Sequence, residues 1–129
     1  MTVGELISKV DELKPNHYSE QRKLEWLNHL EEQIYFNIIL QHEGHEDIEY
    51  KQYESVEQNG NDALLASGMY EDLYRYYIES QIDYANQEIN KYNNSSQMHN
   101  AYYEGFEKWY RRNHMPIHKV NSAKFYKGG

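Results

Sequence analysis

Apolar side chains recur at spacings of three and four in four separate stretches of the chain, which is the period of a helix with one buried face. Val3, Leu6, Ile7, Val10 and Leu13 form the first stretch. It opens on Thr2-Val3-Gly4-Glu5, the Thr-x-x-Glu form of a capping box, and Pro15 stops it, which predicts a helix over about 2–14. Ser19 is the N-cap of a second helix over about 19–41. Its stripe is Leu24, Leu27, Leu30 or Glu31, Ile34 and Ile38, widened by Trp26, Tyr35, Ile39 and Leu40. The period vanishes over residues 43–68, where Gly, Glu, Asp, Gln and Asn dominate. A connection that long in a compact domain is usually functional or mobile. Within it, Tyr50–Val56 and Ala63–Leu65 flank Asn59-Gly60, a turn signal that predicts a small irregular hairpin.

Helical spacing returns over about 70–92. Leu73, Tyr77, Ser80, Tyr84 and Ala85 share one face, with Tyr74, Ile78, Gln81 and Ile82 beside it. Asn93-Asn94-Ser95-Ser96 reads as a break, and a last helix over about 95–114 carries Met98, Ala101, Tyr102, Gly105, Phe106, Trp109 and Tyr110 before Pro116 ends it. A break that short favours antiparallel packing of the last two helices. The expectation is an all-α, four-helix bundle-like domain over residues 1–116. A long acidic loop separates helices 2 and 3, and residues 117–129 form a basic flexible tail.

Composition narrows the function classes. The 129 residues hold no cysteine, so thiolate zinc sites, disulfides and cysteine nucleophiles are excluded. The mean hydropathy of −1.05 predicts no membrane span, and the N-terminus has no apolar run of the kind a secretory signal carries. Only 39% of residues are hydrophobic, yet 14 are tyrosine, so the core and any interface lean on tyrosine. The charge is segregated. Residues 108–129 hold six of the thirteen lysines and arginines and none of the 21 acids, leaving a net −14 on the first 107 residues. Cations at the end of a helix complement its dipole. They also suit a docking arm in which Trp109, Arg111, Arg112, Lys119, Lys124, Phe125 and Tyr126 meet an acidic partner surface. The acidic body would repel a DNA duplex, so only the tail could contact nucleic acid.

Candidate chemistry is sparse. His42-Glu43-Gly44-His45-Glu46-Asp47 is the one cluster resembling metal ligation, yet Gly44 interrupts the helical geometry that would align His42 with His45. His114 and His118 are four apart with Pro116 between them. Glu31-Glu32 and Glu71-Asp72 read as solvated helix faces. No phosphate loop or nucleophile elbow is present, so no enzymatic activity and no cofactor is expected.

The runs Met1–Ile7, Val10–Asn16, Tyr18–Glu20 and Lys23–Leu27 resemble small proteins from the structural-gene region of tailed phages and prophages of Gram-positive bacteria. Leu64-Leu65, Tyr70–Tyr74, Tyr77–Asn86, Glu88-Ile89, Tyr92–Ser95 and His114-Met115-Pro116 extend the resemblance over residues 1–42 and 64–116. It implies a head-tail connector, or adaptor, subunit: a mostly helical virion protein made in the host cytoplasm. Such subunits assemble as a ring on the portal protein, meet a downstream head-completion or tail protein, and extend a channel through which DNA passes unbound. The portal-facing role would fall to the segment from Trp109 onward. The sequence departs from the family at Ala66-Ser67-Gly68-Met69, where a proline-containing approach to the helix is expected. Two other readings follow from the residues alone. One is an acidic phage-encoded inhibitor acting by charge mimicry, and the other a metal-dependent enzyme using His42 and His45.

Overall fold

The computed structural model describes residues 1–117. The fold is all-α. Helix α1 spans Val3–Leu13, α2 Glu20–Asn37, a single turn α3 Val56–Asn59, α4 Asp72–Ala85 and α5 Ile89–Asn113, with 3-10 turns at Ile39–Gln41 and His45–Asp47. The capping box of α1 forms in both directions: Glu5 N–H donates to Thr2 Oγ1 at 3.2 Å and Thr2 N–H to Glu5 Oε1 at 2.9 Å. Ser19 caps α2 by accepting from Arg22 N–H at 3.1 Å. Four of the five stripe residues of α1 are buried, but Leu13, on its last turn, is 54% exposed. Leu24, Leu27, Leu30, Ile34 and Ile38 are all buried from α2 and its end.

Two expectations are corrected. The break predicted at Asn93–Ser96 lies instead at Asn86–Glu88, so α4 ends at Ala85 and α5 runs unbroken through the four polar residues. Gln87 takes the turn in the left-handed region at φ 60, and the Tyr18 hydroxyl donates to Asn86 Oδ1 at 2.7 Å. Ser95 is satisfied inside the helix, because its hydroxyl lies 2.9 Å from Asp83 Oδ2 and 3.0 Å from the Lys91 carbonyl. The inward face of α4 is formed by Leu73, Tyr74, Ile78 and Ile82, whereas Tyr84, expected on the buried side, is 64% exposed.

The predicted hairpin is absent. Among the described residues there is no strand, only isolated bridges at Thr2–Ala63 and His42–Pro116. Ser55 instead starts a helical turn by accepting from Gln58 N–H at 3.0 Å, and Asn59 Oδ1 accepts from Glu54 N–H at 2.7 Å. Gly60 then passes against α1, where Gly4 N–H donates to its carbonyl at 2.9 Å. A Cβ on Gly4 would lie 3.1 Å from that oxygen. The acidic connection is therefore fastened to α1 and α2. Asn28 pairs both ways with the Tyr53 backbone, at 2.9 and 2.8 Å, and Glu20 Oε2 accepts from Val56 N–H at 3.0 Å.

Helices α4 and α5 form an antiparallel hairpin, with Ser95 opposite Asp83, Tyr102 opposite Tyr76 and Gly105 opposite Tyr70. Helix α1 lies along α4 in the same direction, tied by Lys14 Nζ to Asp83 Oδ1 at 2.7 Å and the Met1 amino group to Glu71 Oε2 at 3.1 Å. Of α5 only Ser95, Phe106 and Tyr110 are buried, and Tyr102 and Tyr103 are partly buried against the core. No described helix is long and apolar enough to cross a membrane.

Candidate docking surface

Trp109 occupies the penultimate turn of α5, 37% exposed, with its ring 6.1 Å from Phe106. With Ser67, Gly68, Met69, Tyr70 and Phe106 it lines a cavity of about 160 Å³. Gly68, at φ 102, turns the chain into α4 and leaves Met69 at the mouth, 77% exposed. The sequence marks the 66–69 segment only as a departure from the expected approach to α4. Its partnership with Trp109 depends on the α4–α5 hairpin register.

The cations of the sequence reading divide. Arg112 sits three residues beyond Trp109 on the same helical face, exposed, and Lys108 is exposed beside it; neither has a carboxylate partner among the described residues. Arg111 lies 4.0 Å from Glu107 Oε2. Arg111 and Arg112 stand in the last turn of α5, where the dipole favours positive charge. Lys119, Lys124, Phe125 and Tyr126 lie outside the described residues. The chain leaving α5 is fastened to the end of α2: Glu43 N–H donates to the Met115 carbonyl at 2.8 Å and Ile117 N–H to the Gln41 carbonyl at 3.0 Å.

The histidines serve this junction. His42 is buried, with Nδ1 2.6 Å from the Ile38 carbonyl and its ring 5.3 Å from Tyr110. His114 stacks on the same tyrosine at 3.8 Å and 9°. His45 belongs to the next 3-10 turn, beyond Gly44 at φ 93, with Nε2 3.9 Å from Glu46. His42 and His45 therefore do not share a helix face. Among the described residues, no three His, Asp or Glu side chains are grouped to hold a metal ion.

Of the paired carboxylates, Glu32 is exposed as a solvated face would have it, whereas Glu31, Glu71 and Asp72 depart from that reading. Glu31 has no exposed surface. Its Oε1 accepts from the Tyr74 hydroxyl at 2.6 Å, and its Oε2 from the Tyr53 hydroxyl at 2.8 Å and Leu65 N–H at 3.0 Å. The Tyr74 oxygen in turn accepts from Ala66 N–H at 2.8 Å. Burial holds the Glu31 carboxyl above its ordinary value against the opposing pull of these donors. The two tyrosines are pushed up by burial and then by the neighbouring carboxylate. The cluster joins α2, α4 and the acidic connection at two places, Tyr53 and Leu65–Ala66. Glu71 and Asp72 are engaged as well, Glu71 with the Met1 amino group and Asp72 with Lys9 at 3.4 Å.

No protein-family model matches the chain, nor does any curated protein or solved structure.

Proposed function

We propose that this protein is a non-enzymatic structural subunit, a head-tail connector of a tailed phage or prophage. In this reading it assembles as a ring on the portal and docks onto neighbouring subunits and the portal through the C-terminal end of α5. The observation that carries the reading is the open apolar cavity at Met69 and Trp109, with the exposed cations Lys108 and Arg112 one residue before and three residues after Trp109 on α5, on a chain whose first 107 residues carry a net −14. An apolar anchor site with exposed cations near it on the same helix suits a protein partner with acidic borders. An acidic body suits the wall of a channel that passes DNA without gripping it. The resemblance of residues 1–42 and 64–116 to connector proteins supplies the context of virion and infected host.

The test is co-purification with a phage portal protein, using charge reversal in place of truncation. Tyr110 is buried and Met115 and Ile117 bond to the end of α2, so removing everything from residue 108 takes away core as well as cations. Arg111→Glu with Arg112→Glu should abolish capture while the far-ultraviolet helix signal is unchanged. Undiminished capture would refute the docking role of this edge.

A second reading, an acidic inhibitor that mimics nucleic acid, draws on the groove lined by Glu25, Asn28, His29, Glu32 and Gln52. It predicts binding to a basic protein that falls steeply with salt and is indifferent to Arg111 and Arg112.

A further inference from the structure

We propose that the cavity under Trp109 seats Phe36 from a second copy of this chain, an inference that rests on the assembling-subunit reading and names the partner of that site. The cavity, about 160 Å³ and walled by Met69, Tyr70, Phe106 and Trp109, is of the size that holds one six-membered ring, since an apolar cavity of about 150 Å³ takes benzene. A ring of that kind is presented elsewhere on the surface. Phe36 is 44% exposed on α2, propped edge-on by Tyr35 at 5.2 Å and Tyr50 at 5.7 Å, so it is already ordered before contact.

The charges around the two features are opposite. On the cavity side, Lys108 and Arg112 are exposed on α5 one residue before and three residues after Trp109, whereas on the Phe36 side Glu32, one turn before Phe36, and Glu49, beside Tyr50, are exposed. None of these four has an ion-pair partner among the described residues. Docking ring into cavity brings both unpaired sets together, and the like-charge alternatives, cavity on cavity or Phe36 on Phe36, are disfavoured. Within one chain the Phe36 ring is held by Tyr35 and Tyr50, and Trp109 by Phe106, so the two features are separate sites. The contact is heterologous: each copy gives one ring and one cavity, and repetition closes a ring when the rotation permits.

Complementary lesions test this on the full chain by sedimentation velocity over a range of concentrations, with circular dichroism as the check on folding. Phe36→Glu removes the ring, and Met69→Glu places a carboxylate at the cavity mouth on a side chain that is 77% exposed. The wild type should self-associate, and each variant alone should do so at least tenfold more weakly. An equimolar mixture of the two should form a dimer and stop there, because one intact ring meets one intact cavity. Glu32→Arg and Arg112→Glu should each weaken association and together restore it. Variants that associate as the wild type does would overturn this contact while leaving an assembling subunit in place. A wild type that stays monomeric would overturn self-contact, and portal capture then decides the connector reading on its own.

Discussion

The Tyr74 hydroxyl donates to Glu31 Oε1 over 2.6 Å between two side chains that have no exposed surface. It also accepts Ala66 N–H at 2.8 Å, so one oxygen joins α2, α4 and the chain entering α4. Tyr74→Phe therefore removes a hydrogen bond to a buried carboxylate and also orphans a buried amide. We expect a loss of about 3 kcal/mol, against about 1.5 kcal/mol for Tyr53→Phe, which removes one bond only. Urea unfolding of the two variants checks the order, and equal losses would mean that Ala66 N–H finds another acceptor.

The same cluster sets a pH dependence. Burial raises the Glu31 carboxyl above its ordinary value of 4.5, so the folded state holds this proton to higher pH than the unfolded chain does. The contribution of Glu31 is then fullest below 4.5 and falls as pH rises through the folded-state value, at up to about 1.4 kcal/mol per pH unit between the two. Glu31→Gln has no such proton to lose. Its stability relative to wild type should rise with pH above 4.5 and level off once Glu31 is ionised in the fold. Paired urea titrations across that range measure the difference, and a flat difference would exclude a raised carboxyl.

How much of this was legible in the sequence varies by element. The Thr2 box, the Pro15 stop and the Ser19 cap are local signals, and local hydrogen bonds realise them. The stripe of α2 is equally plain, yet the same period left Leu30 and Glu31 as alternatives, and the fold buries both. Nothing near Glu31 announces its donors, since Tyr53, Leu65 and Tyr74 come from 22 to 43 residues away. Asn93–Ser96 misleads for a related reason: such residues often break helices, but here the Ser95 and Ser96 hydroxyls bond back to carbonyls within α5, and Ser95 also meets Asp83 across the hairpin. Trp109 stood out by composition, whereas its cavity arises only when α4 and α5 are in register.

Asp83 tests that register. Its Oδ1 accepts from Lys14 at 2.7 Å and its Oδ2 from Ser95 at 2.9 Å, which fastens α1 and α5 to the end of α4. Ser95→Ala should cost about 1 kcal/mol and Asp83→Ala about 2 kcal/mol, because the latter removes both the ion pair with Lys14 and the bond to Ser95, whose hydroxyl retains the Lys91 carbonyl. Hydrogen exchange should accelerate most at Asn86–Glu88, where the turn depends on this anchor. Acceleration spread evenly along α5 would place the anchor elsewhere.

Gly105 offers a test in which the sign of the effect changes with its neighbour. Glycine inside a helix is worse than alanine by about 1 kcal/mol, so Gly105→Ala on an open face would stabilise α5. Here the added Cβ would stand 2.6 and 2.9 Å from two carbons of the Tyr70 ring, which covers the glycine and also walls the cavity beside Trp109. Alanine must displace that ring, and the lost packing offsets the helical gain. We expect Gly105→Ala to destabilise the wild type by about 1 kcal/mol and to stabilise a Tyr70→Ala background by about as much, an interaction energy that marks direct contact. Thermal or urea unfolding of the two single variants and the double variant completes the cycle. Additive effects would mean that Tyr70 does not rest on Gly105, and the cavity would then lose the wall that shapes it for an aromatic ring.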